Sequence, residues 1–311
     1  MENSRKWNPT VLILGSGGRK GYLMLGLLLL LKHTKILDNI KVIIGVSVGA
    51  VIGLLYNIGC SITEILEISL SVNPSQLFDT MDVKNVTTSF GLFSHDLFRD
   101  HINKKMIKYF GFVPTLQQLY YMTGIKFIAG VVNVTDDKEE YLSYETEPDL
   151  LSTEAVLMSM NIPIVFHTYK YKHKLYVDGG IANTLPIQLY DDGNNDILGI
   201  KLTESTKSNP SESIISYITR VFHIIISKRT KNLLDQRSNR CEVIYLSDEI
   251  KGSAFDPVGL KLSFENKSQM IIEGYLNGLK FLEYVSSKYD YNYRKDNIEI
   301  LDLSYFLNEL Q

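Results

Sequence analysis

The chain reads as an α/β protein, a three-layer α/β/α sandwich around a mostly parallel central sheet. Three observations predict this. Short aliphatic runs such as Val11–Leu14 and Val42–Val46 lack polar alternation, as strands buried on both faces do. After a glycine-containing turn, each is followed by an apolar stretch long enough for a helix. The alternation then continues along most of the 311 residues, the pattern of helices covering parallel strands on both sides.

Taken in order, Val11–Leu14 is a buried strand, followed by a glycine-rich turn and a helix at Gly21–His33. The strand Val42–Val46 leads into a helix at Val48–Asn57, which Gly59 stops. Helical patterns fill 62–70, 98–110 and 116–122. Segments 126–135 and 140–144 are strands joined by the acidic turn 136–139. A helix at 150–160 precedes strands around 165–172 and 175–177. The strand 197–202, the helix 212–227, the strand 243–246 and the long helix 268–285 complete the core. The eight prolines are spread evenly, with no Gly/Ser/Pro-rich linker and no internal repeat, so one domain is expected rather than two.

Composition excludes several classes. An apolar fraction of 45% and a charged fraction of 22% do not fit disorder, collagen or a disulfide scaffold. The net charge of −3 argues against bulk nucleic-acid binding, which needs a strong basic patch. Cys60 and Cys241 stand far apart without CxxC or Cys/His spacing, so they read as reduced, packed thiols and a zinc site is not expected. The apolar segment 22–31 lies between Lys20 and Lys32, about half the ~20 residues that span a bilayer. No cleavage-site pattern follows it. It reads as a buried helix, and the protein as intracellular, with no signal peptide or transmembrane helix.

Three motifs could carry chemistry. Gly45-Val46-Ser47-Val48-Gly49 lies where a strand turns abruptly into a helix. A nucleophile at such a tip needs small residues two positions away on either side, because the chain nearly touches itself there. Ser47 could equally be a helix cap. Gly15-Ser16-Gly17-Gly18-Arg19-Lys20-Gly21 is also a strand-to-helix turn. It fails as a P-loop and as a dinucleotide fingerprint, because Lys20 occupies the glycine position that both require. What remains is a turn whose backbone N–H groups face a developing negative charge, or a turn with no chemical role. Asp178, in Tyr176-Val177-Asp178-Gly179-Gly180, ends an apolar strand. It could take a proton from Ser47 directly, or simply form an Asp-Gly-Gly turn.

The conjunction of glycine-rich turn, G-x-S-x-G elbow and Asp-Gly-Gly, in this order, resembles the patatin-like phospholipase family. Met158-Ser159-Met160-Asn161-Ile162-Pro163-Ile164-Val165-Phe166 is similar to the segment ahead of the family's aspartate. Residues 178–187 are similar to the stretch that follows it, and Thr115–Leu119 and Asn133–Thr135 match further strings. The resemblance implies a patatin-like domain over 10–285, with 286–311 as a C-terminal extension packed on it. It implies a lipid acyl hydrolase of the phospholipase A type, with Ser47 as nucleophile and Asp178 as general base. Gly17 and Gly18 would be the oxyanion donors. Gly15, Ser16, Arg19, Lys20, Gly21, Gly45, Gly49, Gly179 and Gly180 complete the motifs. Ser16 departs from the family's usual glycine, which matters only if that position needs positive φ. The implied partner is a lipid or phospholipid, with peripheral membrane contact, and no metal or cofactor is implied. The apolar helix 22–31 is expected to support the oxyanion turn rather than line the site. The alternative is a catalytically silent lipid-binding or interaction protein on the same fold.

A Ser-His-Asp triad in hydrolase order would need a histidine after Asp178, and only His223 qualifies. On the helix 212–227 it lies about 130° from the centre of the apolar stripe, so it reads as solvated. His33, His95, His101, His167 and His173 show no metal-ligand spacing. The same helix is amphipathic and followed by Lys228, Arg229 and Lys231, a pattern compatible with a lipid surface but more usual for core packing.

Overall fold

A computed structural model describes residues 7–71, 86–204, 214–248 and 262–289. The chain begins β1 (Val11–Leu14), α1 (Gly21–His33), β2 (Val42–Val46), α2 (Val48–Asn57) and α3 (Ile62–Ser71). A helical turn at Val86–Ser89 leads to β3 (Gly91–Phe93), α4 (Asp96–Phe110), α5 (Leu116–Thr123), β4 (Lys126–Asn133) and β5 (Lys138–Leu142). Then come α6 (Ser152–Ser159), β6 (Ile164–Phe166), β7 (Tyr169–Tyr171) and β8 (Lys174–Asp178). β9 (Ile197–Glu204), α7 (Ile214–Asp235), β10 (Cys241–Asp248) and α8 (Phe264–Lys288) follow.

The main sheet runs β10-β9-β1-β2-β4 with every pair parallel; β5, β8 and β7 are added antiparallel. Alternate residues of the central strands feed two cores. Leu12, Leu14 and Ile43 pack with α1, α2 and α8, while Val11, Ile13 and Ile44 pack on the other face with Leu185, Ile187 and Leu234 of α7. This is the expected three-layer arrangement. α1 is buried along its whole apolar length, Gly21–Leu31. It meets α8 backbone to backbone: a Cβ at Gly26 would run into the Ile271 carbonyl, and one at Gly274 into that of Leu23. No helix among the described residues is long and apolar enough to cross a membrane.

Register along β4 positions the site. Gly130 pairs with Val46 on one edge and Tyr141 of β5 on the other, while Val131 pairs with Asp178 and with Glu140 of β5. β2 and β8 therefore share the edge of β4 opposite β5. One runs parallel to β4 and the other antiparallel, so their C-terminal ends meet head to head at Gly130–Val131.

Several elements differ from the sequence expectation. The strand expected over 165–172 is two strands: β6 leaves the main sheet to pair with β3, which was not expected at all, while β7 pairs with β8. The second strand of the 126–144 hairpin is Lys138–Leu142, because its acidic turn is tighter than the charge run suggests. α8 continues through the 285/286 boundary to Lys288, and Tyr289 stacks on Trp7 with ring centroids 5.8 Å apart. The rest of the extension, 290–311, lies outside the described residues, as do 212–213 of the amphipathic helix.

Candidate active site

Ser47 sits between β2 and α2 with φ 57° and ψ −124°, a conformation that non-glycine residues rarely adopt. Its surroundings hold it there. The Ser47 N–H donates to Ser159 Oγ at 3.0 Å, and Ser159 Oγ–H donates to the Gly130 carbonyl at 2.7 Å. The Ser47 carbonyl accepts the Ala50 N–H at 2.9 Å as α2 begins. Tight packing explains the flanking glycines: a Cβ at Gly49 would strike the Leu14 carbonyl, and one at Gly45 would strike Ala50. The Ser47 side chain makes no cap bond to α2. Its hydroxyl instead donates to Asp178 Oδ2 at 2.6 Å, in a buried pair.

Asp178 reaches Ser47 because β8 enters from beyond the end of β4 and runs back along it. Its backbone N–H donates to the Asn161 carbonyl at 2.9 Å. Oδ1 accepts the Gly180 N–H at 2.7 Å, closing the Asp-Gly-Gly turn and leaving Oδ2 to Ser47. Turn former and serine partner are thus one carboxylate, each role on its own oxygen. Burial pushes the Asp178 carboxyl up to about 6, against the opposing pull of the Ser47 hydroxyl and the Gly180 N–H. A group with that proton affinity is ionised at neutral pH yet accepts a proton readily.

The glycine-rich turn closes over the pair. The Gly15 N–H donates to the Ile200 carbonyl and the Ser16 N–H to that of Thr184, both at 3.0 Å. Gly17 is extended and backs onto Leu202. Gly18 has φ 52°, the one left-handed position of this turn, so Ser16 is not strained by having a side chain. A Cβ at Gly180 would lie 2.7 Å from Ser16 Oγ, so the turn and the Asp-Gly-Gly corner touch. Gly18, Arg19 and Lys20 form a single 3-10 turn into α1, with Lys20 buried and its N–H donating to Gly17 O at 3.1 Å. Gly21 packs on Val48. The N-termini of α1 and α2 therefore both face Ser47, and their dipoles favour negative charge there.

A cavity of about 130 Å³ opens at Ser47 and Gly18, walled by apolar side chains of α1 to α4, among them Leu25, Ile52, Ile65 and Phe98. Tyr22 and Leu25 line it, so the first turns of α1 form the site wall as well as supporting the turn, contrary to the sequence expectation. The Tyr22 hydroxyl donates to the Ser69 carbonyl at 3.0 Å, tying α1 to α3 beside the cavity. His101 also lines it, with Nδ1 2.7 Å from the Leu97 carbonyl oxygen. Among the described residues no histidine is hydrogen-bonded to Ser47 or Asp178; the side chain of His223 lies outside them. No three His, Cys, Asp or Glu side chains among the described residues gather where they could hold a metal ion.

Sequence reasoning gave Ser159 and Asn161 no role. Ser159 bonds the Ser47 backbone, while Asn161 holds the Asp178 strand through its carbonyl and through Nδ2, which donates to Tyr176 O at 2.7 Å. Both lie in the 158–166 segment, whose polar residues between apolar ones were the available signal.

Fold and site together define an α/β/α protein with a serine elbow, an aspartate partner and an apolar cavity. The model of patatin-like phospholipases matches residues 12–190, and the chain belongs to that family. A probable lipid hydrolase, 463L, of Invertebrate iridescent virus 6 is 32% identical over 185 residues, 57% of this chain and 62% of the relative. The match thus spans less than two thirds of that relative's length. Protein R571 of Acanthamoeba polyphaga mimivirus is 28% identical over 206 residues, 64% of this chain and 67% of the relative. Two solved structures share the fold. VipD from Legionella pneumophila superposes with a TM-score of 0.53 at 15% identity, over 91% of this chain and 71% of its own. ExoU from the type III secretion system of Pseudomonas aeruginosa gives 0.52 at 15%, over 90% and 53%.

Proposed function

We propose that the protein is a lipid acyl hydrolase working through a Ser47–Asp178 dyad. The observation that carries this is the buried 2.6 Å hydrogen bond from Ser47 Oγ to Asp178 Oδ2. Ser47 Oγ attacks the ester carbonyl carbon while its proton passes to Asp178. The carbonyl oxygen, now negative, is met by backbone N–H groups of the glycine-rich turn, Gly17 and Gly18, and by the positive ends of α1 and α2. The intermediate collapses as Asp178 returns the proton to the departing alkoxide oxygen, leaving an acyl-serine. Asp178 then takes a proton from water, whose oxygen attacks the acyl carbon; the carboxylic acid leaves and Ser47 recovers its proton. No step draws on a metal or cofactor. The acyl chain lies in the apolar cavity, which supports a lipid rather than a polar ester as substrate.

Turnover of an ester with a chromogenic leaving group tests the dyad. Ser47→Ala and Asp178→Asn are each expected to abolish it, and the double variant to be little worse than either, because the two residues act as a unit. Folded single variants with wild-type turnover would remove the dyad. Mass spectrometry of a mixed lipid extract, before and after incubation, identifies the lipid class.

A further inference from the structure

Phe90 is 63% exposed with φ 52°, and Ile164 is 39% exposed with φ 71°. Single exposed apolar residues are ordinary on protein surfaces. Left-handed backbone at an aromatic and a β-branched residue is not, because asparagine, aspartate or glycine fit it with less strain. The two positions are also neighbours. β3 and β6 pair in parallel, with Gly91, the residue after Phe90, opposite Ile164, the residue after exposed Pro163. The Thr168 N–H, bonded to Ser89 O, and the His167 N–H, bonded to Phe93 O, both at 2.9 Å, fix the two segments to each other. This small sheet stands at the cavity: Met160 and Ile162, just before Pro163, line it, and so does Phe98, whose ring meets Phe166 edge-on at 5.8 Å.

We infer that Phe90, Pro163 and Ile164 form an apolar tip that inserts into the surface of a lipid bilayer beside the mouth of the Ser47 cavity. The inference rests on the lipid-hydrolase reading for its choice of occupant. An acyl chain that reaches the cavity must leave a bilayer, and an apolar tip continuous with the cavity wall through Ile162 lets it pass without crossing water. Strained backbone retained beside a site is the usual mark of a local feature kept for function rather than for stability. Insertion of this kind draws on buried apolar area rather than on charge, so neutral lipid suffices and salt matters little.

The test uses the full chain as Ser47→Ala, so that binding is read without turnover, and vesicles of phosphatidylcholine. Trp7, the chain's one tryptophan, is buried and gives a constant background. Phe90→Trp emission is expected to shift to the blue when vesicles are added, in 1 M salt as in low salt. Tyr121→Trp, at a 74% exposed position on α5, is expected not to shift. The double variant Phe90→Asn/Ile164→Asn is expected to need about tenfold or more lipid for half-binding, while its melting temperature stays level or rises because asparagine relieves the backbone. No shift at Phe90→Trp, an equal shift at Tyr121→Trp, or unchanged vesicle binding by the double asparagine variant would each overturn the inference. A second copy of the chain or a protein partner as occupant would show as self-association or capture lost in the double variant, with no response to vesicles. A Phe90→Trp shift, found together with a lack of ester hydrolysis by the folded chain that keeps Ser47, would leave the tip standing and remove the dyad, so the two proposals fail separately.

Discussion

Val46 and Asp178 end two strands that run toward each other along one edge of β4, paired with the adjacent residues Gly130 and Val131. The next residue after Val46 is Ser47, and so the meeting of strand ends places a hydroxyl against a carboxylate. The same stretch of β4 supplies the Gly130 carbonyl that accepts from Ser159, the residue holding the Ser47 backbone.

Ser159→Ala removes that support. The Ser47 N–H and the Gly130 carbonyl both lose a partner in a fully buried place, which is expected to cost about 1–3 kcal/mol of stability. Misplacement of the nucleophile is expected to lower kcat about 10- to 100-fold. KM should change little, because the apolar cavity is intact. Steady-state kinetics beside a melting curve separate the two effects, and a melting point lowered with unchanged kcat would reduce Ser159 to a packing residue.

Gly18→Ala places a side chain at the left-handed position of the glycine-rich turn, the proposed source of oxyanion donors. Loss or tilting of one donor is expected to lower kcat about 10²–10³-fold, with KM much less affected because the ground-state carbonyl asks little of the donors. A lowered melting point with wild-type kcat would mean that the turn is only a turn.

The raised Asp178 carboxyl sets a pH dependence. In the proposed role of general base it must be ionised, so kcat/KM is expected to fall as the pH drops through about 6. Stability moves the other way. The folded state holds this proton up to about pH 6, and the unfolded chain only to about 3.8. The group's destabilising effect is therefore fully present above pH 6 and fades as the pH falls toward 3.8. Asp178→Asn is accordingly expected to be inactive yet to melt higher than wild type at pH 8, by an amount that shrinks in acid. Denaturation of both proteins at pH 8 and pH 5 checks the sign.

On the proposed mechanism, in which Asp178 takes the Ser47 proton directly, metal removal is expected to leave turnover unchanged. Assay in excess EDTA, followed by added calcium, is the measurement. Turnover lost with chelator and restored by calcium would contradict it.

Most of the architecture was legible because β1 and β2 are uninterrupted aliphatic runs and the helices that follow them begin at glycine or serine turns. Helices α1 and α2 match residue for residue. Local pattern cannot carry sheet order or direction, so the approach of β8 antiparallel to β4 was invisible, although Asp178 itself was not. β3 is three residues long, too short for periodicity to mark it, and β6 was hidden in the segment 165–172, which reads as a single strand rich in aromatic residues. Ser159 showed in the sequence only as a polar residue in an apolar stretch; its partner, the Ser47 N–H, is brought to it by the fold. The role of α1 as cavity wall was missed because a helix that is apolar all round has no face to read.

Covalent trapping is the most direct test of Ser47 as nucleophile. The protein is incubated with a long-chain fluorophosphonate, which transfers its phosphonyl group to an activated serine and releases fluoride, and is then mapped by peptide mass spectrometry. The expected result is one adduct, on the peptide carrying Ser47, formed more slowly below about pH 6 and absent from Ser47→Ala. An adduct on a different residue, or full labelling and ester turnover in folded Ser47→Ala, would contradict the dyad.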